Sequence, residues 1–117
     1  MDDNERSGEE MTTKELLEFH DEVTQAAKDM MAKKNHDYTA GSGDPFANFR
    51  GSQFLGVHPV MGILMRTMDK FKRIQTFIER GTLAVDDESV MDAVEDSVNY
   101  LILVGAMIRE MQETKNA

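Results

Sequence analysis

The residues best suited to chemistry are the acidic ones near the start of the last predicted helix. On a helical wheel they fall within about 100° of one another, together with one asparagine. They are Glu88, Asp92, Glu95, Asp96 and Asn99. Four carboxylates so close together repel one another unless a counter-charge is present, and hard divalent cations such as Mg²⁺ take carboxylate oxygens as ligands. The row therefore predicts a magnesium site with Glu88, Asp92 and Asp96 as ligands.

The alternative is that this acidic row is an ordinary solvated helix face. The sector does not stay polar, however, because it continues along the helix as Leu103, Ala106 and Met107. A helix face that is first acidic and then apolar is more typical of a cleft with a closed end than of open surface. We therefore expect Asp92 and Asp96 to face a cleft.

The preceding predicted helix carries groups that complement this row. Arg66, Asp69 and Arg73 lie within about 60° of one another on a helical wheel, with Lys70 close by. Arginine grips phosphate oxygens through two parallel hydrogen bonds, so Arg66, Lys70 and Arg73 are candidate nucleotide-binding residues. Asp69 is the candidate catalytic residue, because it can hold the arginines in place or join the metal site. Ion pairing within the helix is the alternative for these groups.

A long segment without helical periodicity separates the first two predicted helices. Residues 35–58 contain four glycines and one proline, and loops of this length in small domains usually serve a function. Asparagine side chains pair with base edges, and aromatic rings stack on bases. The candidate nucleotide-binding residues of this region are Lys34, Asn35, Asp37, Tyr38, Asn48 and Phe49. The three histidines show no metal-ligand spacing.

Helix signals predict the elements that position these residues. Thr12 and Glu15 match a capping box, and apolar residues at three- and four-residue steps then predict a helix over residues 13–34. Pro59 suits a first helical position and Gly81 suits a helix end. The apolar stripe between them consists of Met61, Leu64, Met68, Phe71, Ile74 and Ile78. A short helical turn is expected at residues 46–50, after Pro45.

The third helix is predicted over residues 87–113, capped by Asp86 or Asp87. Its second half, YLILVGAMI at residues 100–108, is apolar all round and is expected to be buried. The predicted fold class is therefore an all-α bundle of three long helices with a long loop between the first two. The apolar end of the third helix has more apolar surface than the other two helices are expected to cover. This predicts a homo-oligomer.

Length and charge limit the classes of function. The chain has 117 residues and no cysteine, which excludes disulfides, thiolate metal sites and cysteine nucleophiles. Residues 1–12 are expected to be a disordered acidic tail, and residues 13–117 a single helical domain. The net charge of −9 opposes binding to duplex nucleic acid. The longest apolar run has nine residues, too few to cross a membrane, and we expect a cytoplasmic protein.

The order of the motifs resembles a known family. The chain carries KNHDY at 34–38, NF at 48–49, RTMDKFKR at 66–73 and DESVMDAVEDSVNY at 87–100. This combination is similar to that of the nucleotide-modification-associated domain family of small phage proteins. A fainter similarity links the chain to all-α nucleoside triphosphate pyrophosphohydrolases of the MazG type, because Asp96 and Tyr100 keep the spacing of an acid and a tyrosine in those enzymes. The resemblance implies a phage protein of nucleotide metabolism.

Two classes of function follow, together with a third alternative. The first is a magnesium-dependent (d)NTP pyrophosphohydrolase, in which a metal-bound water attacks the α–β phosphoanhydride. The second is a protein that binds or sequesters a nucleotide or nucleotide signal without turnover. The third is a helical adaptor whose acidic row meets a basic partner.

Overall fold

The protein consists of three long α-helices and one short 3₁₀ helix. The computed structural model describes residues 10–39, 43–47, 49–81 and 89–116. The helices are α1 (Thr13–Thr39), the 3₁₀ helix (Arg50–Leu55), α2 (Pro59–Arg80) and α3 (Val90–Asn116). No strand occurs within those ranges, and the prediction of a small all-α bundle is confirmed. The helix α3 is central, because both α1 and α2 pack against it.

The start of α1 is the predicted one, but its end is not. The Glu15 N–H donates to the Thr12 hydroxyl at 3.1 Å, and the Thr12 N–H donates to the Glu15 carboxylate at 3.3 Å. This reciprocal pair confirms the capping box. The helix runs to Thr39 instead of ending at residue 34. No glycine or proline stands between residues 34 and 39, so no local signal stops the helix at the predicted position.

The segment after α1, called here the turn segment (residues 43–47 and 49), carries two buried rings. The Phe46 N–H donates to the Asp44 carboxylate at 3.0 Å, which forms a turn closed by a side chain. Phe46 and Phe49 both reach the hydrophobic core, where the other buried members are Ile63 and Met107. The core therefore depends on rings from the turn segment as well as on helix residues.

The predicted helical turn after Pro45 is present. The N–H groups of Phe49 and Arg50 both donate to the Phe46 carbonyl oxygen, at 2.9 and 3.2 Å. The backbone then continues as the 3₁₀ helix, which the sequence pattern did not indicate. Gly56 ends this helix in the left-handed region with φ of 72°, a conformation that glycine adopts without steric cost.

The bounds of α2 agree with the prediction. Pro59 occupies the first turn, and Gly81 ends the helix with φ of 79°. The His58 side chain accepts a hydrogen bond from the Val60 N–H at 3.1 Å. This histidine, to which the sequence analysis assigned no role, therefore caps the start of α2.

The buried face of α2 differs from the predicted stripe. Ile63 and Thr67 are fully buried, and the Thr67 hydroxyl donates to the Ile63 carbonyl oxygen at 2.9 Å. Because its hydroxyl is paired within the helix, this threonine can lie in the interior. Met61, Met68 and Phe71, which were predicted to be core residues, are each more than half exposed. The prediction of a single apolar stripe is wrong, because α2 carries apolar side chains on opposite faces.

The helix α3 begins at Val90 with a reciprocal cap. The Asp92 N–H donates to the Ser89 hydroxyl at 3.1 Å, and the Ser89 N–H donates to the Asp92 carboxylate at 3.2 Å. Two backbone donors at the helix start are thereby satisfied. The predicted caps Asp86 and Asp87 lie outside the described residues.

The second half of α3 is not buried all round. Met107 lies in the core and Leu103 packs against it, whereas Leu101 and Ile102 are half exposed. The prediction of complete burial is wrong for the single chain, since the neighbouring helices cover only part of the circumference of α3. In the described part of the chain, no helix has both the length and the apolar character that a membrane crossing requires. Most of the predicted acidic tail, residues 1–9, lies outside that part.

Candidate functional site

An open pocket lies where α1, the turn segment and α3 meet. Its volume, counted to its open mouth, is about 430 Å³. It is lined by Met31, Lys34 and Asn35 of α1, Pro45 and Phe49 of the turn segment, and Asp96, Asn99, Tyr100 and Leu103 of α3. The α3 residues share one face because they are spaced by three and four positions. Apolar and aromatic walls with a few polar groups are the usual lining of small-molecule sites.

Asp96 is held between two lysines at the pocket. Its carboxylate lies 3.0 Å from the Lys70 ammonium and 3.8 Å from the Lys34 ammonium. The Lys70 side chain reaches it from α2 and is 16% exposed, whereas Lys34, on α1, is 43% exposed. This ion group, Lys34–Asp96–Lys70, joins all three helices. Two cations and one anion leave a net charge of +1, so the local field favours an anionic ligand.

An arginine lies over the aromatic wall of the pocket. The Cζ atom of Arg66 is 5.0 Å from the centre of the Phe49 ring, which is the distance of a cation–π contact. Phe49 itself is buried and lines the pocket from the turn segment. Arg66 therefore adds positive charge next to the pocket, although it is not one of the lining residues.

Asn99 connects α3 to α1 through one of its two side-chain polar atoms. Its Nδ2 donates to the Ala27 carbonyl oxygen at 2.9 Å, and the residue is 8% exposed. Its Oδ1 has no hydrogen-bond partner among the residues that the structure describes. Most buried acceptors in proteins are paired, so this oxygen is a distinctive feature of the pocket wall.

Two of the other predicted acidic residues, Asp92 and Asp69, do not line the pocket, so the expectation that Asp92 faces a cleft is wrong. Asp92 is exposed and takes part in the cap of α3. Asp69, the candidate catalytic residue, is also exposed, and its carboxylate lies 3.4 Å from the Arg73 guanidinium one turn further along α2. Neither Asp69 nor Arg73 lines the pocket. The structure thus brings Asp96 to the site without Asp92, Asp69 or Arg73.

Magnesium would need several oxygen ligands in one place. In the ranges that the structure describes, no three acidic or histidine side chains come together, and Asp96 is paired with ammonium groups instead. Glu88 lies outside those ranges. Asp92 and Asp96 by themselves do not fit a magnesium centre, and the magnesium site remains a prediction from the sequence.

Several predicted nucleotide-binding residues do meet at the pocket. Lys34, Asn35 and Phe49 line it, and Lys70 contacts it through Asp96. Residues from α1, the turn segment and α2 are therefore brought together from three separate motifs of the sequence.

Three other predicted residues cannot be assigned a position in the site. The backbone of Asp37 and Tyr38 belongs to α1, but their side chains lie outside the described part of the chain, as does the whole of Asn48. Their role in nucleotide binding stays a prediction.

Among the apolar lining residues, the sequence indicates Phe49 and Leu103 near the site, but Met31, Pro45 and Tyr100 are not among the predicted site residues. Tyr100 and Leu103 follow Asp96 by four and seven positions, and Met31 precedes Lys34 by three. Helical spacing places each of them on the same face as the charged residue, so this signal was present. Pro45 gives no comparable signal, because its position depends on how the turn segment packs.

A second ion group fastens the turn segment to α3. The Arg50 guanidinium donates to Asp44 at 2.7 Å and to Glu110 at 3.2 Å, and its Cζ lies 5.5 Å from the centre of the Phe46 ring. The hydrogen bond from Arg50 lowers the pKa of Asp44, and the bond to Asp44 raises the pKa of Arg50. This clasp, Asp44–Arg50–Glu110, holds the segment that supplies Phe49 to the pocket.

Comparisons with protein-family models, with curated proteins and with solved structures find no match for the chain. The class is therefore defined by fold and site alone. It is a small all-α protein with an aromatic-lined pocket between helices and a net positive ion group at that pocket. The family resemblance of the motifs remains a prediction.

Proposed function

We propose that the protein binds a nucleotide, with the phosphates at the ion group Lys34–Asp96–Lys70 and the base or sugar against the pocket wall. The observation that carries this proposal is the net charge of +1 beside an open pocket lined by Phe49 and Tyr100. The motif resemblance to phage nucleotide-modification-associated proteins supports the same ligand class. We propose a cytoplasmic location as well. Because the chain has a net charge of −9, which repels the polyanionic backbone of duplex nucleic acid, the proposed ligand is a small nucleotide.

Lys34 is the residue best placed to meet phosphate oxygens. At 3.8 Å from Asp96, its ammonium lies beyond the usual hydrogen-bond distance. The three N–H donors of the ammonium group can therefore turn to a ligand without breaking a short pair. Lys70, at 3.0 Å, instead holds Asp96 in position.

The remaining lining of the pocket suits a flat ring. Phe49 and Tyr100 contribute aromatic surface, and Leu103 packs against the core beside them. Stacking of a base on an aromatic side chain contributes about 1–3 kcal/mol per base. Asn35 adds amide donors and an acceptor that can pair with a base edge.

Binding without turnover is the form of the proposal that the geometry favours. The predicted hydrolysis needs carboxylates gathered around a metal ion. In the described part of the chain, Asp92 caps a helix and Asp69 pairs with Arg73, which leaves Asp96 as the acid at the pocket. We therefore propose a nucleotide-binding or nucleotide-sequestering protein, with hydrolysis as an outcome that the experiment below can detect.

Calorimetric titration of NTPs, dNTPs and inorganic pyrophosphate in the presence of EDTA tests the proposal. We expect at least one nucleotide to bind, and Lys34→Ala to weaken that binding about tenfold or more, because a charge-assisted hydrogen bond is lost. Lys28→Ala is the matched control, since it removes the same charge from an exposed position of α1. If no nucleotide binds, the proposal is wrong. If Mg²⁺ permits pyrophosphate release that Asp96→Asn abolishes, the protein is an enzyme instead.

We also propose that the protein forms a homo-oligomer through the outer face of α2. Met61, Met65 and Met68 lie about 140–200° from Ile63 on a helical wheel, and each is more than half exposed. Contiguous exposed apolar surface marks an interface, and flexible methionines adapt readily to a partner surface. A second copy presents the same apolar face by symmetry.

A further inference from the structure

The side-chain oxygen of Asn99 is buried at the pocket wall. Within the part of the chain that the structure describes, Oδ1 of Asn99 is a buried side-chain acceptor without a hydrogen bond. Asn99 lines the pocket, and more than nine-tenths of the residue is buried. An unpaired buried acceptor costs free energy, and proteins satisfy nearly all such groups with protein atoms or water. A ligand in the pocket and an ordered water molecule are the two remaining sources of a donor, and the analogue titrations below distinguish them.

The orientation of the Asn99 amide is set by α1. Its Nδ2 donates to the Ala27 carbonyl oxygen at 2.9 Å, and reversing the amide would place two oxygens against each other. Ala27 is itself buried, so the packing of α1 on α3 maintains this pairing. The atom of Asn99 that remains for a ligand is therefore an acceptor, which only an N–H or O–H group can satisfy.

We propose that Oδ1 of Asn99 accepts a hydrogen bond from an N–H or O–H group of the bound nucleotide and thereby selects among nucleotides. This inference rests on the proposed function. Asn99 follows Asp96 by three positions, a rise of about 4.5 Å along α3. The selected ligand therefore has an anionic group at the ion group Lys34–Asp96–Lys70 and a donor group, on its sugar or its base, at Asn99.

The first test removes donors from the ligand and leaves the protein unchanged. For the nucleotide of the panel that binds tightest, we would titrate analogues that each lack one donor: the 2′-hydroxyl, the 3′-hydroxyl, the exocyclic amino group or the ring N–H. We expect one analogue to bind about tenfold more weakly or worse, because a site built around a hydrogen bond rejects a ligand that lacks it. The identity of that analogue decides whether the donor belongs to the sugar or to the base.

The variant Asn99→Leu then assigns the lost hydrogen bond to this residue. Leucine has a similar volume and no acceptor, so the variant is expected to bind the parent nucleotide and the weakened analogue equally. Its affinity for inorganic pyrophosphate, which reaches the lysines alone, is expected to be unchanged. Circular dichroism during thermal unfolding checks that the helices persist. Where they do not, the same comparison is made with Asn99→Ala, which removes the acceptor without adding bulk.

The outcomes separate this inference from the proposed function. If nucleotides bind but every analogue binds as tightly as the parent, the role of Asn99 is overturned and the nucleotide pocket stands. If Asn99→Leu still prefers the parent over the analogue, the donor meets a different residue and the inference is also overturned. If neither nucleotides nor pyrophosphate bind, the proposed function fails, and the inference that rests on it fails too.

Discussion

Lys70 and Asp96 form a 3.0 Å ion pair that joins α2 to α3 beside the pocket. Each side chain is less than a quarter exposed, so solvent and salt screen this pair less than a pair on the surface. The pair fixes the position of Asp96, which lines the pocket, and Lys34 adds a second cation from α1. The charge of the pocket and the packing of the bundle therefore depend on the same contact.

The variant Lys70→Met tests this contact through stability. Removal of the cation leaves the Asp96 carboxylate with Lys34, the more distant partner, alone. We therefore expect the free energy of unfolding to fall by about 1–3 kcal/mol, a smaller loss than breaking a fully buried ion pair causes. Urea denaturation followed by circular dichroism measures this. Lys28→Met, at an exposed site of α1, is expected to change stability by less than about 0.5 kcal/mol. Equal effects of the two variants would show that the ion pair does not support the fold.

Asp92→Ala separates a capping role from a role in ligand binding. The Asp92 carboxylate accepts a hydrogen bond from the Ser89 N–H, so its removal is expected to cost about 0.5–2 kcal/mol of stability. Nucleotide affinity, with EDTA or with Mg²⁺, is expected to stay the same, because Asp92 is not at the pocket. A variant of normal stability that loses Mg²⁺-dependent binding would instead support the predicted magnesium site.

The clasp on the turn segment predicts a dependence of stability on pH. The hydrogen bond from Arg50 lowers the pKa of Asp44, so the folded state binds this proton less readily than the unfolded state does. The contribution of Asp44 is complete above the pKa of the unfolded chain and is lost as the pH falls through the lowered pKa of the folded state.

The variant Asp44→Asn measures that contribution, because its side-chain oxygen can still accept from the Phe46 N–H while the charge is removed. We expect the variant to have a lower urea midpoint than the unmodified chain at pH 6. The difference is expected to narrow as the pH falls below about 4. A difference that stays constant down to acid pH would mean that the charge of Asp44 is unimportant in the clasp.

The outer face of α2 predicts the oligomeric state. In light scattering after size-exclusion chromatography, the unmodified chain is expected to elute as an oligomer, and the double variant Met65→Glu/Met68→Glu as a folded monomer, because like charges would meet across the interface. Gln53→Glu, at an exposed position of the 3₁₀ helix, is expected to leave the mass unchanged. An unmodified chain that is monomeric at high concentration would contradict the proposed interface.

Local signals predicted the start of α1 and both bounds of α2, whereas α3 was predicted over residues 87–113 and is observed at Val90–Asn116. Thr12, Pro59 and Gly81 mark positions that the structure confirms, because capping depends on residues within one turn of the helix end. The end of α1 was predicted too early because the apolar periodicity stops before residue 34, whereas a polar run without glycine or proline can continue a helix.

The site was harder to predict because it depends on the rotation of each helix about its axis. The phosphate chemistry of arginine favoured Arg66 and Arg73, but Lys70 is the α2 residue that reaches Asp96. Lys70 follows Ile63 by seven positions, so it shares the face of α2 that is turned to α3. The predicted stripe included Met61 and Met68, which lie on the side of α2 away from Ile63 and are more than half exposed. Which face of α2 is buried is decided by its packing against the other helices, and the sequence of α2 alone does not specify that packing.

The most direct test of the account is the affinity for inorganic pyrophosphate across a charge series, measured by calorimetry in EDTA. Lys34→Ala, the unmodified chain and Asp96→Asn give the ion group net charges of 0, +1 and +2 in turn, counted from its two lysines and one aspartate. If the pocket is an anion site, pyrophosphate binding is expected to tighten in that order. Weaker binding by Asp96→Asn than by the unmodified chain, with both proteins folded, would contradict the account, because the carboxylate would then be contributing to ligand binding directly.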